Sequence, residues 1–250
     1  MKGYLSHAGV AVWSFLTNKI IGVIMCDVIY EDNQIIVAIK PQNIPTQGDE
    51  SGDEDFLSQL KGYVKEKYNK PGEAYLGLVH RLDRPTGGVM VFARTSKSAE
   101  RLSEQIRSGE MEKSYFAVLD GTPRLKQARL VNYLKKDEKN NIVRVVPQYE
   151  SGAKEAILDY RVLETKDNKT LVKVDLQTGR SHQIRVQMSN ISCPVVGDQK
   201  YGKDAKKCNL ALWSTILKFT HPVTKKIMTF KVSPPADKTP WKAFSIDKYL

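Results

Sequence analysis

The sequence predicts an α+β fold: a mixed, largely antiparallel sheet with flanking helices. Two observations point there. Strand-like apolar runs recur along the chain, and from Arg129 to Val174 they follow one another with only charged turns between them. Helical periodicity is confined to a few segments and does not alternate regularly with strands, so a parallel βαβ sheet is not the pattern. The glycine loops that cradle nucleotide phosphates, GxGxxG and GxxxxGK[ST], are also missing, which leaves nucleotide-cofactor chemistry without support.

The elements follow in order. Val10 to Ile29 is largely apolar, but Asn18 and Lys19 interrupt it and Asp27 closes it. A spanning helix needs about 20 mostly apolar residues, and no clean small-residue cleavage site follows the single leading lysine. The expectation is a buried or interfacial helix, within an apolar extension over residues 1–26 that is too short to be a separate RNA-binding domain. "DVIYEDNQIIVAIKP" reads as a strand, a polar turn and a second strand ended by Pro41. The polar loop after it holds Asp49, Glu50, Asp53, Glu54 and Asp55, without the spacing of a calcium loop, so it reads as solvated. Phe56, Leu60 and Val64 stand at helical spacing. "AYLGLVHRLD" and "GVMVFART" read as two strands joined across a turn from Arg84 to Gly88. "SKSAERLSEQIRSGEM" opens with serine and reads as a capped helix with Ala99, Leu102 and Ile106 on one face. "EKSYFAVLDG" is a strand ending in Gly121. "ARLVNYL", "NIVRVVP", "EAILDYRVL" and "TLVKVDL" are strands, and "SHQIRVQMSNI" is helical. "LALWSTILKFTHP" and "KIMTFKVSPP" form a closing hairpin, and "WKAFSIDKYL" reads as a terminal helix.

With 250 residues, 41% of them hydrophobic, the chain has enough apolar surface for a sizeable core. Its 39 lysines and arginines outnumber 28 acidic residues and give a formal charge of +11, a surplus that suits a polyanionic partner. Cys26, Cys193 and Cys208 are odd in number and irregular in spacing, which matches neither a disulfide framework nor a zinc site and suits reduced thiols in the cytoplasm.

Chemistry concentrates in two stretches. In "VHRLDRPTGG", Asp83 lies between Arg81 and Arg84 where a strand gives way to a turn, with the flanking guanidinium charges favouring an ionised carboxylate. On a strand, Arg81 and Asp83 would share one face, and His80 and Leu82 the other. A surface ion pair is the ordinary account of such spacing. In "LQTGRSHQIRVQM", Arg180, His182 and Arg185 follow a glycine. One histidine without a second ligand at useful spacing argues against a metal.

Taken together, "HRLDRPTGG", "KSYFAVLDG", "TGRSHQIRVQM", "CPVVGDQKYG" and "LKFTHPVTKK" resemble the RluA family of RNA pseudouridine synthases in order and approximate spacing, and "VIYEDNQIIVAIKPQNIPTQ" resembles the family's "NKP" strand. The resemblance runs from about Asp27 to Pro234 and implies a pseudouridine synthase catalytic domain over 27–250. It puts the family's catalytic aspartate on Asp83, its active-site tyrosine on Tyr115 and its active-site arginine on Arg185. It places Arg81, His80, Arg84, Arg180, His182 and Gln183 toward the RNA or its flipped base. Gln187 stands where histidine is frequent, at a position read as peripheral. The implied reaction breaks the bond from ribose to base nitrogen, turns the base and rejoins it through carbon 5. It needs a carboxylate at the sugar–base junction, as nucleophile or as acceptor of a sugar proton, and no metal or organic cofactor. Arg185 is expected to pair with Asp83. The expected partner is RNA, transfer or ribosomal, with no membrane, and the expected enzyme is a cytoplasmic monomer. Lys126, Lys135, Lys136, Lys154, Lys203, Lys206 and Lys207 are candidate RNA contacts. An inactive RNA-binding relative should have lost one of Asp83, Tyr115 or Arg185, and a carboxylate-based glycosidase needs a second acid that no block supplies.

Overall fold

The computed structural model describes residues 10–13, 26–69, 71–202 and 208–250. In chain order its elements are β1 (Val10–Trp13), β2 (Asp27–Glu31), β3 (Ile35–Lys40), α1 (Phe56–Lys67), β4 (Gly77–Leu78), β5 (Gly87–Ala93), α2 (Ser96–Arg107), β6 (Glu112–Asp120), β7 (Gln127–Asp137), β8 (Ile142–Val146), β9 (Lys154–Lys166), β10 (Lys169–Leu176), α3 (Gln183–Asn190), β11 (Leu212–Thr220) and β12 (Ile227–Val232), followed by two short 3-10 turns at Trp241–Ala243 and Ile246–Tyr249. Strand pairing is mixed and mostly antiparallel, and helices are few, as the sequence predicts. The chain forms two compact units, Met1–Met111 with Ile216–Val232, and Glu112–Thr215 with Ser233–Leu250.

In the first unit β3 pairs antiparallel with β2 on one side and β5 on the other. Both β3 and β5 are buried along their whole length, which is why they read as continuous apolar runs rather than alternating ones. The predicted face of α1 packs as expected, with Phe56, Leu60 and Val64 buried and the Phe56 ring edge-on to Phe92 at 5.8 Å. Asp55, one of the loop acids, caps α1 by accepting the Ser58 amide at 3.0 Å. The cap of α2 is Thr95, one residue before the serine that opens the predicted segment, and its hydroxyl accepts the Ser98 amide at 3.1 Å.

In the second unit β6, β10, β9, β7 and β8 pair in that order, every pair antiparallel. The helix α3 buries Val186 against Leu134, Val143 and Ala156. The C-terminal segment forms two 3-10 turns instead of one helix, because Phe244 is extended and buried between them.

The N-terminal expectation fails where it can be examined. Val10–Trp13 is a strand, paired parallel with β12 in the register Val10↔Thr229 to Trp13↔Val232, whereas Asp27–Glu31 is β2, the strand expected there. Its β-branched and aromatic content suits a strand, and a short apolar run cannot be told from a helix by periodicity alone. The rest of that run lies outside the described residues, as do Lys203, Lys206 and Lys207. Among the described residues no helix is long and apolar enough to cross a membrane.

Candidate active site

The carboxylate of Asp83 sits on a loop, not at the end of a strand. β4 stops at Leu78, and Val79–Thr86 leads from it into β5. The same-face pairing of Arg81 with Asp83 expected of a strand therefore does not apply, and Arg81 is exposed while Leu82 is buried. The tight turn is Asp83–Thr86, closed by the Thr86 amide donating to the Asp83 carbonyl at 2.9 Å. Gly87 and Gly88 already belong to β5, and Gly88, at φ +122°, stands opposite Lys40.

This loop is held at nearly every residue. The Val91 amide donates to His80 Nε2 at 3.1 Å, so that nitrogen carries no proton. Buried Thr46 grips Leu82 twice, donating its hydroxyl to the carbonyl at 2.8 Å and accepting the amide at 3.3 Å. The Arg84 carbonyl accepts from the Asn43 amide at 2.8 Å and from Lys40 Nζ at 3.2 Å, and Gln42 Nε2 donates to the Pro85 carbonyl at 3.0 Å. The Arg84 guanidinium turns to the acidic loop, pairing with Asp53 and donating to Ser51 at 3.0 Å. Residues 47–54 of that loop are exposed, as expected, and of its acids only Asp55 is buried, as the cap of α1. Among the described residues no cluster of metal-ligating side chains occurs. The backbone on either side of Asp83 is thus held by residues distant in sequence.

The second unit carries the other two predicted catalytic residues. Tyr115 is buried in β6, in register with Val174 of β10. Lys113 shares its face two residues earlier. The Lys113 ammonium lies over Gly179, 3.6 Å from where a β-carbon would stand, and burial pushes its pKa below the ordinary lysine value. Two motifs far apart in sequence, around Tyr115 and around Arg180, thus meet here.

The segment before α3 is shaped by its own side chains. Gln183, buried, accepts from the Thr178 hydroxyl at 2.8 Å and the Arg180 amide at 2.9 Å, and donates to the Ile157 carbonyl at 3.0 Å. These bonds account for a loop clamp at the position expected to face the RNA. Arg180 is exposed and its Nε donates to the Glu155 carbonyl at 2.8 Å. His182 is left-handed at φ +51°, with Nδ1 at 2.8 Å from the Tyr201 hydroxyl.

Arg185 is buried on α3 and meets the carboxylate of Asp198, which lies in the quoted "CPVVGDQKYG" block. Its Nε donates to Asp198 Oδ2 at 2.7 Å and its Nη2 to Asp198 Oδ1 at 2.8 Å, a two-pronged pair. The guanidinium also faces the Tyr201 ring, 5.2 Å from its centre. Burial pushes the Asp198 carboxyl up, but the Arg185 bonds and charge, with the Lys200 and Tyr201 amides, outweigh it and hold the pKa below the usual carboxylate value. Tyr201 ties the cluster to β8, its hydroxyl accepting the Val143 amide at 2.8 Å. Gln187 is not peripheral: it is fully buried, and its Nε2 lies near the Leu130 and Ala156 carbonyls and Asn132 Oδ1. Of the candidate RNA-contact lysines, Lys126 and Lys154 are exposed, while Lys135 pairs with Glu150 and Lys136 with Glu138.

The family model for RNA pseudouridylate synthase matches residues 34–190. The chain is 34% identical over 232 residues to ribosomal large subunit pseudouridine synthase D of Buchnera aphidicola subsp. Baizongia pistaciae, covering 86% of this chain and 70% of that one. The chain belongs to the RluA family of RNA pseudouridine synthases. It is 31% identical over 215 residues to the uncharacterized RNA pseudouridine synthase YhcT of Bacillus subtilis, with 84% of this chain and 69% of the relative covered. Among solved structures, human RNA pseudouridylate synthase domain containing 4 superposes with a TM-score of 0.71 at 23% identity, over 84% of this chain and 88% of that one. The fold is thus that of pseudouridylate synthase domains, and the protein is an RNA pseudouridine synthase, an isomerase. The matched residues of this synthase include Lys40, Asp83, Tyr115 and Arg185 but end before Asp198. Sequence reasoning missed Asp198, Tyr201, Thr46 and Lys40. All four lie in quoted blocks, Asp198 and Tyr201 in "CPVVGDQKYG" and Lys40 and Thr46 in "VIYEDNQIIVAIKPQNIPTQ", which were the only signals available for them.

Proposed function

We propose that this synthase converts specific uridines of structured RNA with Asp83 as its essential carboxylate, acting on the sugar–base junction as nucleophile or as acceptor of a sugar proton. Tyr115 walls the base pocket and Arg185 orients the reacting groups. The target base leaves its stack to reach them, at a cost of a few kcal/mol. Arg81, exposed beside the pinned turn, and Arg180 face the RNA backbone, with His80, Arg84, His182 and Gln183 shaping the loops that receive it. Residues 27–250 act as the catalytic domain, as a monomer in the cytoplasm. The names of relatives that modify the large ribosomal subunit make ribosomal RNA the first substrate to test.

What supports this reading above all is the Asp83–Thr86 turn, whose backbone and that of Leu82 before it are anchored by Lys40, Gln42, Asn43 and Thr46. Asp83→Asn preserves shape but cannot act as nucleophile or base. The variant is expected to release no tritium from uridine labelled at carbon 5 while RNA affinity stays within a few fold. Turnover by the variant would remove Asp83 from the mechanism. Mapping pseudouridine in the RNA of cells with and without the gene decides between ribosomal and transfer RNA.

A further inference from the structure

The register of β9 with β10 sets like charges side by side. Arg161 stands opposite Lys173, and two residues along Asp159 stands opposite Asp175. Like charges directly opposite one another on a sheet are destabilising. Most of this charge is met within the sheet. β7 sets Arg129 opposite Asp159, and its Nε and Nη2 donate to the two carboxylate oxygens at 2.9 Å each. Lys173 pairs with Asp175 Oδ1 at 2.9 Å, and the Ser114 hydroxyl donates to the same oxygen. Two groups are left over. Among the described residues the exposed Arg161 has no ion pair, and Asp175 Oδ2 accepts no hydrogen bond. The two residues stand on a diagonal between neighbouring strands, within reach of a long side chain, yet no bond joins them.

A groove of about 490 Å³ runs between them, lined by the side chains of Gln127, Arg129, Asp159, Arg161, Lys173 and Asp175. That volume suits a small ligand or one unit of a polymer. Successive side chains on a strand point to opposite faces. Val174, between Lys173 and Asp175, is in register with Tyr115, so the groove opens on the sheet face away from Tyr115.

The lining forms two rows. Gln127, Arg161 and Lys173 are in register across three strands and offer N–H donors, two of the three cationic. Arg129, Asp159 and Asp175 form the next row, about 7 Å away, and offer the unused carboxylate oxygen. A simple anion would meet Arg161 but would also face two carboxylates. A ligand with an anion at one end and a hydroxyl donor at the other satisfies both rows. A ribonucleotide has that form, with a phosphate and, on the ribose beside it, a 2′-hydroxyl that donates as well as accepts. The planar fork of arginine meets phosphate through two parallel bonds. The chain is an RNA synthase with a formal charge of +11, so an RNA strand is the source of ribonucleotides that its charge draws in.

We propose that this groove is a second RNA contact, which takes one ribonucleotide of the strand outside the target site: its phosphate on Arg161 and Lys173, its 2′-hydroxyl on Asp175. The groove supplies affinity and a preference for RNA over DNA, and the role of Asp83 does not enter.

The test is the binding of labelled oligoadenylate, which has no uridine to isomerise, and of its 2′-deoxy counterpart. The proteins are the parent, Arg161→Glu and Asp175→Ala, over a series of salt concentrations, with melting temperatures measured alongside. Arg161→Glu should weaken binding of the ribo-oligomer about tenfold at low salt. It should also flatten the log–log salt dependence by about 0.7, the share of one phosphate contact on a single strand. Asp175→Ala should narrow the parent's preference for the ribo-oligomer about threefold or more. Binding by Arg161→Glu within about twofold of the parent, or a preference that Asp175→Ala leaves unchanged, overturns the proposal. Adenosine 5′-monophosphate that needs Arg161 to bind, beside oligoadenylate that does not, also overturns it and makes the groove a site for a free nucleotide. If a variant melts well below the parent, ultraviolet crosslinking of the parent to the ribo-oligomer replaces it, and crosslinked peptides from neither β9 nor β10 overturn the proposal. An active Asp83→Asn sinks the reading of Asp83 and leaves the groove standing, whereas oligoadenylate binding indifferent to Arg161 sinks only the groove.

Discussion

Replacing Asp198 with asparagine keeps the size of the side chain and removes its charge. The carboxylate accepts four bonds: Arg185 Nε at 2.7 Å on one oxygen, and Arg185 Nη2 at 2.8 Å, the Lys200 amide at 2.9 Å and the Tyr201 amide at 3.1 Å on the other. Asparagine has one carbonyl oxygen. Its better orientation leaves that oxygen on the three-donor side and points an NH2 group at Arg185 Nε, donor against donor. Arg185 then loses the charge of Asp198 from a buried pair, and removing one partner of such a pair typically costs about 3–5 kcal/mol. For a chain of 250 residues each kcal/mol moves the melting temperature by about 2–4 °C, so the loss should be about 6–20 °C. If Arg185 also shifts by about 1 Å, the chemical step should slow on the order of a hundredfold. Calorimetry and single-turnover rates, the latter well below the variant's melting temperature, read the two effects. The sign with pH can be stated too. The folded pKa of Asp198 is depressed below 3.8, so its stabilisation is fully present above that value and is lost as pH falls through the folded pKa. The gap between parent and variant should be constant above about pH 5 and close in acid. A variant that melts within about 3 °C of the parent and reacts within about threefold of its rate would refute the claim that Asp198 holds a buried charge.

Arg185→Lys should slow the single-turnover rate on the order of a hundredfold with RNA affinity little changed, because a lysine cannot meet both oxygens of Asp198 or lie flat against Tyr201; a parent-like rate would make Arg185 a general RNA contact. Gly197→Ala should cost about 2 kcal/mol or more, because Gly197 is left-handed at φ +78° and an added β-carbon would stand 2.5 Å from the Asn209 carbonyl oxygen. An unchanged melting temperature for Gly197→Ala would mean that the turn presenting Asp198 shifts without resistance.

The sheet was legible because its strands announce themselves locally. β7 through β10 are bounded by charged turns, and β3 and β5 are continuous apolar runs. The helix α1 was legible because Phe56, Leu60 and Val64 keep helical spacing and all three are buried. What failed has physical causes. "VHRLD" looked like strand because it follows Gly77–Leu78 without a break in apolar pattern, but Thr46 and Lys40 hold it as a loop from residues far away in sequence. Val10–Trp13 looked like the start of a helix because only its partner β12 makes it a strand. Asp83, Tyr115 and Arg185 were reached through family resemblance. Spacing alone gave Asp83 no better account than a surface ion pair, and gave Tyr115 none beyond a core aromatic.

Most of the residues that sequence reasoning passed over or misjudged share one property. Lys40, Thr46, Asp198 and Gln187 are polar or charged, and all are buried. An apolar side chain contributes by being out of water, so a pattern of apolar residues predicts its burial. A polar side chain is stable inside only if each donor or acceptor finds a partner, and the partner comes from the tertiary fold. Lys40 read as the polar end of a strand because nothing nearby in sequence reveals the Arg84 carbonyl. Asp198 carries no local sign of its partner, which lies on α3. Groups of this kind collect where backbone that is neither helix nor strand must be held in one conformation, since such backbone has no ladder of its own to fix it. The same demand exists wherever a reacting group must be presented on a loop. Buried polar side chains bonded to loop backbone include Thr170 and His221 as well as Lys40 and Asp198; of these, Lys40 lies against the turn of Asp83 and Asp198 against Arg185, so these two bear most directly on the proposed mechanism.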